Sequence, residues 1–527
     1  MTYGDDGEKF GVWPDTHDWV WGRGWLRQFF EQLEDPDQGV ELILPSEQID
    51  RFGATDRVYL PTASYHEMGE WTLNAEAGRK LLDLKKALAS HDLAEQAEPF
   101  LHGGIWMGFL AKYPEANVLH KRMLRVSAKV AHAEAHLRAG EVAPQAEATQ
   151  TEGTIGRARR ALYRGQCNCP YWHGLFGGLY LPHLRHAVYR QLVEAGALAD
   201  EAVHGVDGAR LELRDLDGDL RDEVALEAEG LVAWVDPEDG GQLLVLDDRR
   251  RRVSLGHVLT RRPETYHRDL LAAAEASEKG DGGGDADGPK SIHDTHRSKV
   301  PDLKRRLVYD DHARRILVDH LLPAGVDLSQ VDGPDVAPLA DLVNVRYEVT
   351  GRGGHGEPAA WVELTGKAPL AGSIAGVVQM TKRITLTAPS TLEVAYGLTF
   401  EPDDDDAPPI DALFTVESSL ALVPGPESLF HITLEEPAAD GPPWRSPQER
   451  GTVASMARAA IGSSLGEVTV GMKATPPTGL VWFPLETVSQ SEDGAELVYQ
   501  GTVLTAAWPL SLAPGREETR TLTVEMR

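Results

Sequence analysis

Residues 4–13 read Gly4-Asp5-Asp6-Gly7-Glu8-Lys9-Phe10-Gly11-Val12-Trp13. Two adjacent carboxylates, a third acid close behind and flanking glycines suit the end of a buried strand that opens onto a polar cleft. In barrel enzymes such clusters stand at the C-terminal rim of a strand, held in place by the rest of the barrel. Only Met1, Thr2 and Tyr3 precede this one. The stretch is therefore either an ordinary acidic turn or the beginning of a chain inside an active site.

Moving outward, the chain to about residue 75 mixes short apolar runs with aromatic-rich loops. Trp19 to Phe30 reads as a loop leading into a helix, and Val58 to Leu60 as a short strand running into Pro61–Tyr65. From roughly 75 to 200 the period becomes helical. Ala75 to Gln96 spaces Leu81, Leu82, Leu84, Leu88 and Leu93 near 3.6 residues, and Asn117 to Leu137 repeats the pattern, with Gly140 placed to cap it. Pro182 to Leu198 predicts a third helix with proline in its first turn, and Ala143 to Thr151 reads as a connector. Beyond about 205, alternating runs are broken by Gly, Pro and Asp: Gly230–Val235, Gln242–Leu246, Val345–Thr350, Trp361–Leu364, Ile384–Ala388, Leu392–Leu398, Leu429–Leu434 and Thr521–Met526. Such spacing predicts a large antiparallel sandwich. Two low-complexity inserts, 277–289 and 401–409, read as solvated loops without chemistry.

A length of 527 residues allows several domains, and 42% hydrophobic with 25% charged residues is a globular balance. The formal net charge of −30, from 52 basic and 82 acidic residues, repels polyanions and anionic lipid. Nucleic acid and membrane are accordingly not expected as partners, whereas a neutral ligand is acceptable. The two cysteines, Cys167 and Cys169, make neither a zinc ribbon nor a disulfide framework. The first twenty residues carry four Asp and one Glu and no apolar run, and no spanning stretch occurs. A cytoplasmic protein is expected.

Four segments combine aromatic rings with carboxylate, amide or imidazole groups: Asp5–Trp13, Tyr59–Trp71, Gly104–Met123 with Lys112–Asn117 inside it, and Gly165–Arg185. Each alone suits a buried aromatic turn. Together they suit a sugar cleft, where flat rings cover pyranose faces, polar groups bind hydroxyls and two carboxylates serve as acid/base and nucleophile.

These residues resemble glycoside hydrolase family 57, in its 4-α-glucanotransferase and α-amylase-like branch. Asp5–Trp13 is similar to the family's fourth conserved region and Gln166–Gly178 to its fifth. Arg261–His267, Ser291–Asp294 and Phe483–Glu492 resemble signatures of its C-terminal sandwich. The resemblance implies a multidomain α+β protein. Residues 1–75 would be the C-terminal end, a remnant, of an incomplete (β/α) barrel. Residues 76–200 would form a helical bundle completing the active site, and 205–527 a mutarotase-like antiparallel β-sandwich. It implies retaining hydrolysis or transfer of α-1,4-glucosyl units, with an α-1,4-glucan or maltooligosaccharide as ligand. Asp6 takes the place of the general acid/base. Asp5 and Glu8 would shape its hydrogen bonding, and Trp13, Trp172 and His173 would line the glucan subsites. Cys169 stands where the family more often has Asp, which bears on fine substrate preference.

The family carries its nucleophile as a Glu in a Trp-x-x-Glu context, and a His-x-His motif, both ahead of the Asp-Asp-Gly-Glu region. Glu67, Glu70 and Glu115 match family positions elsewhere in the fold, so none is assigned that role. The expectation is an N-terminally truncated or split enzyme, inactive alone. The alternatives are a non-catalytic α-glucan-binding protein, an enzyme complemented by a separate N-terminal polypeptide, or a mis-assigned start. A homodimer is the family expectation. No cofactor is required, although Asp215, Asp217, Asp219 and Glu223 offer the oxygen-rich spacing that calcium favours, against an acidic hairpin without metal. His267 and His293-Asp294 read either as ligand contacts or as satisfied interior groups.

Overall fold

A computed structural model of the chain describes residues 7–12, 16–54, 56–140, 148–174, 177–205, 208–278, 300, 302–333, 336–372, 374–387, 389–404, 406–435, 444–491 and 494–527. The chain divides into two compact units, Met1–Thr62 and Ala63–Arg527. Among the described residues no helix is long and apolar enough to cross a membrane.

The described residues of the first unit are helical or irregular. A π turn over Asp18–Gly22 leads into the Trp25–Glu34 helix, and a second α-helix covers Pro45–Phe52. Trp25 stacks on Phe29 one turn later, at 5.5 Å. The strand expected over Val58–Leu60 is not formed. This segment has no ladder partner among the described residues, and its side chains are 78–90% exposed.

In the second unit Asn74 caps the Ala75–Ser90 helix by accepting from the Ala77 N–H at 2.8 Å. The helix stops six residues before the expected Gln96, because Asp92 turns left-handed at φ +56°. The longest helix, Pro114–Arg138, buries Ala116, Leu119, Val126, Val130 and Ala133 on one stripe. Gly140, at φ +76°, donates to the Leu137 carbonyl at 3.0 Å and closes its end. Pro182–His204 runs six residues past the expected Leu198. A fourth long helix, Ala148–Gly165, overlaps the stretch read as a connector. Its Ile155, Ala158, Ala161 and Leu162 pack with Val188, Leu192, Ala195 and Ala199 of the neighbouring helix.

The rest is one antiparallel sheet system. Neighbouring strands run Glu348–Gly353, Ala359–Pro369, Gly376–Thr387, Thr391–Pro402, Glu517–Met526, Val468–Ser491, Gly494–Leu512, Ile410–Leu420, Ile316–Pro323, Gln242–Asp248, Leu231–Asp236, Glu223–Glu227 and Arg210–Arg214. Gly451–Ser463 adds to the other flank of Val468–Ser491. The apolar core between the layers is continuous, from Val224 and Leu243 through Tyr396 and Phe414 to Trp508 and Val524.

Helices and sheet meet through buried polar groups. Arg185, on the Pro182–His204 helix, is fully buried. It donates to the Leu179 carbonyl, the His257 carbonyl at 3.2 Å and Gln500 Oε1 at 2.6 Å. Gln500 in turn donates to the Tyr180 carbonyl at 2.9 Å.

Candidate functional site

The Gly165–Arg185 segment folds back on itself, so that the Leu179 N–H donates to the Trp172 carbonyl at 2.8 Å. Gly178 permits this: it sits at φ +46°, and a Cβ there would lie 2.3 Å from the Trp172 oxygen. The Trp172 indole stacks on Trp71 with centroids 5.8 Å apart and an interplanar angle of 15°. A Cβ on Gly174 would come within 2.6 Å of one ring and 2.7 Å of the other. Glycine at 174 is therefore what lets the two indoles close on the turn.

His173 is 4% exposed. Its Nδ1 lies 2.8 Å from the Gly177 carbonyl and its Nε2 3.2 Å from the Tyr266 hydroxyl. These partners assign the proton to Nδ1, with the Tyr266 hydroxyl donating to Nε2. Burial pushes the imidazole down to about 4, Lys112 adding to the effect and Glu264 opposing it. At neutral pH the ring is uncharged.

Behind it Glu264 is buried with three donors. The Tyr113 and Tyr180 hydroxyls each donate to Oε1 at 2.7 Å, and Lys112 Nζ stands 2.9 Å from Oε2. Burial raises this carboxyl, but Lys112, His173 and the hydroxyl donors together hold it below the usual carboxylate range. Lys112 also donates to the Trp71 carbonyl at 3.0 Å. Burial first, and Glu264 next, push the Tyr113, Tyr180 and Tyr266 hydroxyls well above their ordinary value, so they remain donors.

Trp71, Lys112, His173, Glu264, Tyr266 and Gln490 line a cavity of about 250 Å³. An indole wall beside fixed donors and acceptors suits a neutral polyhydroxylated ring. Glu264, Glu70 and Asp269 all reach its lining and each has a cationic partner, Lys112, Lys85 and Arg268, so this cavity suits binding rather than bond cleavage.

Of the residues expected at the site, His173 lines this cavity, and Trp172 stacks on its Trp71 wall without lining it. Asp5, Asp6 and Trp13 lie outside the described residues; Glu8 falls in the Gly7–Phe10 turn, its side chain outside them. Glu70 is paired with Lys85 and lies 2.8 Å from His66 Nε2. Glu115 accepts from the Thr260 N–H and from Arg262, both at 2.9 Å. His267 is a satisfied interior group, with Nε2 3.1 Å from the Val488 carbonyl and Nδ1 accepting from the Glu264 N–H at 3.2 Å. His293-Asp294 lies outside the described residues. Lys112, Glu264 and Tyr266 were not picked out as site residues from the sequence. Their motifs, Lys112–Asn117 and Arg261–His267, were visible, but nothing local joins segments so far apart.

The acidic loop between Arg210–Arg214 and Glu223–Glu227 gathers carboxylate oxygens of Asp215, Asp217 and Glu223 within 4.8 Å of one another; Asp219 is not among them. Its oxygens also accept backbone N–H groups, Gly218 on Asp215 at 2.6 Å and Leu216 on Glu223 at 2.6 Å. Burial, with Asp217 and Asp236 adding, pushes Glu223 up to about 8. The loop offers three carboxylate oxygens, fewer than the roughly six to eight oxygens that calcium takes.

Three family models match successive parts of the chain: glycosyl hydrolase family 57 over residues 1–61, the alpha-amylase/4-alpha-glucanotransferase middle domain over 104–199, and the C-terminal domain of the same name over 215–522. A 4-alpha-glucanotransferase of Thermococcus kodakarensis is 34% identical over 97% of this chain and 66% of its own length. An alpha-amylase of Pyrococcus abyssi is 32% identical with the same coverage. The crystal structure of 4-alpha-glucanotransferase from Thermococcus litoralis superposes with a TM-score of 0.68 at 29% identity, covering 99% of this chain and 66% of that one. The chain thus spans about 66% of the length of the relatives it matches. With matched models following one another along the sequence and a relative of this identity aligned over 97% of this chain, the chain belongs to glycosyl hydrolase family 57, among its alpha-amylase and 4-alpha-glucanotransferase members.

Proposed function

We propose that this chain takes part in retaining glycosyl transfer or hydrolysis of α-1,4-glucans, contributing Asp6 as general acid/base alongside a nucleophile supplied by another segment. Asp6 protonates the leaving glycosidic oxygen and then takes the proton of the incoming sugar hydroxyl or water. Asp5 and Glu8 set its hydrogen bonding, Trp13 adds an apolar sugar contact, and the cavity walled by Trp71, with His173, receives glucosyl units. The observation that carries the reading is this cavity: an indole pair held by Gly174 beside a neutral imidazole and a fully partnered Lys112–Glu264 pair, in a chain whose relatives are named 4-alpha-glucanotransferase and alpha-amylase.

Retention needs a second carboxylate about 5–5.5 Å from the first. The 527 residues contain no Trp-x-x-Glu motif, so in this reading a segment outside them supplies the nucleophile. The test is disproportionation of maltoheptaose, assayed on this chain alone and mixed with the barrel segment that carries the motif in the relatives. Expected are no turnover alone, turnover in the mixture, and a loss of at least about a thousandfold in the mixture for Asp6→Asn. An inactive mixture, or an Asp6→Asn mixture of full activity, would overturn the assignment.

A further inference from the structure

A second cluster of polar groups stands on the sandwich, apart from the cavity just described. His320 belongs to the strand Ile316–Pro323 and Glu417 to its neighbour Ile410–Leu420. His320 pairs with Thr415 and Val318 with Glu417, which makes His320 and Glu417 diagonal neighbours on one face. His312, from the loop entering the first strand, reaches the same point. Its Nε2 lies 3.3 Å from Glu417 Oε2, and His320 Nε2 lies 4.0 Å from that oxygen. One donor atom from each of the three residues falls within 4.8 Å of the others.

We propose that His312, His320 and Glu417 form a binding site for a divalent transition cation of the zinc type, independent of the glucan reading. Ligand distances near 2.0–2.1 Å place neighbouring donors of a tetrahedral ion about 3.4 Å apart. The His312–Glu417 spacing already meets this, and His320 needs to close by about half an ångström to match. The outer shell is present too: Asp311 Oδ1 lies 2.7 Å from His312 Nδ1, the carboxylate–histidine arrangement that orients a metal-bound imidazole. With Nδ1–H donating to Asp311, the lone pair of Nε2 faces the Glu417 oxygen, and the cation now beside both is Arg314, whose Nη1 lies 3.4 Å from Nε2 and 2.7 Å from that oxygen. His320 brings a third ligand atom to the same point.

Arg314 is the competitor. One of its Nη atoms donates to Glu417 Oε2 at 2.7 Å, while the other holds Asp310 Oδ1 at 2.8 Å. Arg261 grips the same Asp310 at 2.6 Å. Arg314 retains Asp310 when it yields Glu417. Of the three ligands His312 lines a cavity of about 330 Å³, together with Asp310, Asp311 and Arg314. Two nitrogens and one oxygen select zinc-like ions, whereas the all-oxygen loop of Asp215, Asp217 and Glu223 offers only the hard donors of calcium sites.

The test is calorimetric titration of zinc chloride into the untagged chain after chelator treatment, with cobalt(II) as an optical probe. The expected result is one strongly bound equivalent. His312→Ala and His320→Gln, both checked for folding by circular dichroism, should each weaken it at least about tenfold, Asp311→Asn should cost roughly tenfold, and Asp217→Asn should change nothing. The cobalt complex should show tetrahedral d–d bands without thiolate charge transfer. No strong zinc equivalent, an isotherm unchanged in both histidine variants, or a thiolate band from Cys167 or Cys169 would overturn the site. Zinc held instead by the neighbouring imidazoles of His132 and His136, 4.3 Å apart, would show as loss of the isotherm in His132→Ala alone and would equally overturn it.

Discussion

The two compact units of this chain differ in whether they bury charge. Ala63–Arg527 carries surface pairs such as Lys80–Glu76 but also buries partnered charge: Arg185 is 0% exposed, Glu264 is 4% exposed, and Lys382 meets Asp319 at 2.8 Å with neither side chain exposed. In the described part of Met1–Thr62 the ion pairs Arg23–Asp18 and Arg51–Glu41 lie on the surface, and Val20 is the one buried hydrophobic residue. Surface pairs contribute about 0–1 kcal/mol, whereas removing one partner of a buried pair costs about 3–5 kcal/mol. The second unit is thus fixed by interactions it cannot lose singly, and the described surface pairs of the first are replaceable.

The largest contrast should come from Glu264→Gln, which keeps the shape but leaves Lys112 buried without its counter-charge. We expect a loss of about 3–5 kcal/mol in urea unfolding, against about 0.5 kcal/mol or less for Arg51→Ala. Equal effects would break the comparison. Gly174→Ala forces the stacked indoles apart and should cost about 1–3 kcal/mol as an overpacked site. A change in the near-ultraviolet tryptophan signal should accompany it; an unchanged signal would mean that the indole pair tolerates the methyl group.

Acidification sharpens the same contrast. The folded value of His173, about 4, lies below the ordinary value of about 6.5. The unfolded chain takes the proton first, so this group's contribution is complete above the ordinary value and is lost as pH falls toward the folded one. Between pH 7 and 5 the loss is about 2 kcal/mol. Paired urea curves at the two pH values should show a smaller difference in His173→Gln; an identical pH dependence would remove His173 as its source. Smallest is calcium at the Asp215 loop. At ten times its dissociation constant calcium would stabilise by about 1.4 kcal/mol, visible as a rise in melting temperature. Glu223→Gln should abolish that rise, and no rise in the wild-type chain would leave the loop a metal-free hairpin.

What the sequence disclosed depended on whether neighbours in space are neighbours in the chain. A short apolar run such as that in Gln242–Asp248, buried at every position, and an alternating one such as Thr391–Pro402 were legible as strands. The longest strands, Val468–Ser491 and Gly494–Leu512, were not, because Pro476, Pro477, Pro484 and Pro509 interrupt the pattern. The Ala148–Gly165 helix hid behind a stripe made largely of alanine in an arginine-rich segment. At the site, Trp172 and His173 could be picked out because they share one short motif. Lys112 and Glu264 could not, since the pairing that explains them, including the Tyr113 hydroxyl on Glu264, spans some 150 residues of chain.

The cavity walled by Trp71, with Trp172 stacked on that ring, is the proposed seat of α-1,4-linked glucose. Calorimetric titration of the intact chain with maltoheptaose tests it directly, because binding does not require the second carboxylate. Expected is saturable exothermic binding that weakens at least about tenfold in Trp172→Ala, which removes the ring that fixes the Trp71 wall. An absence of heat with the folded wild-type chain, or identical binding by wild type and Trp172→Ala, would contradict it.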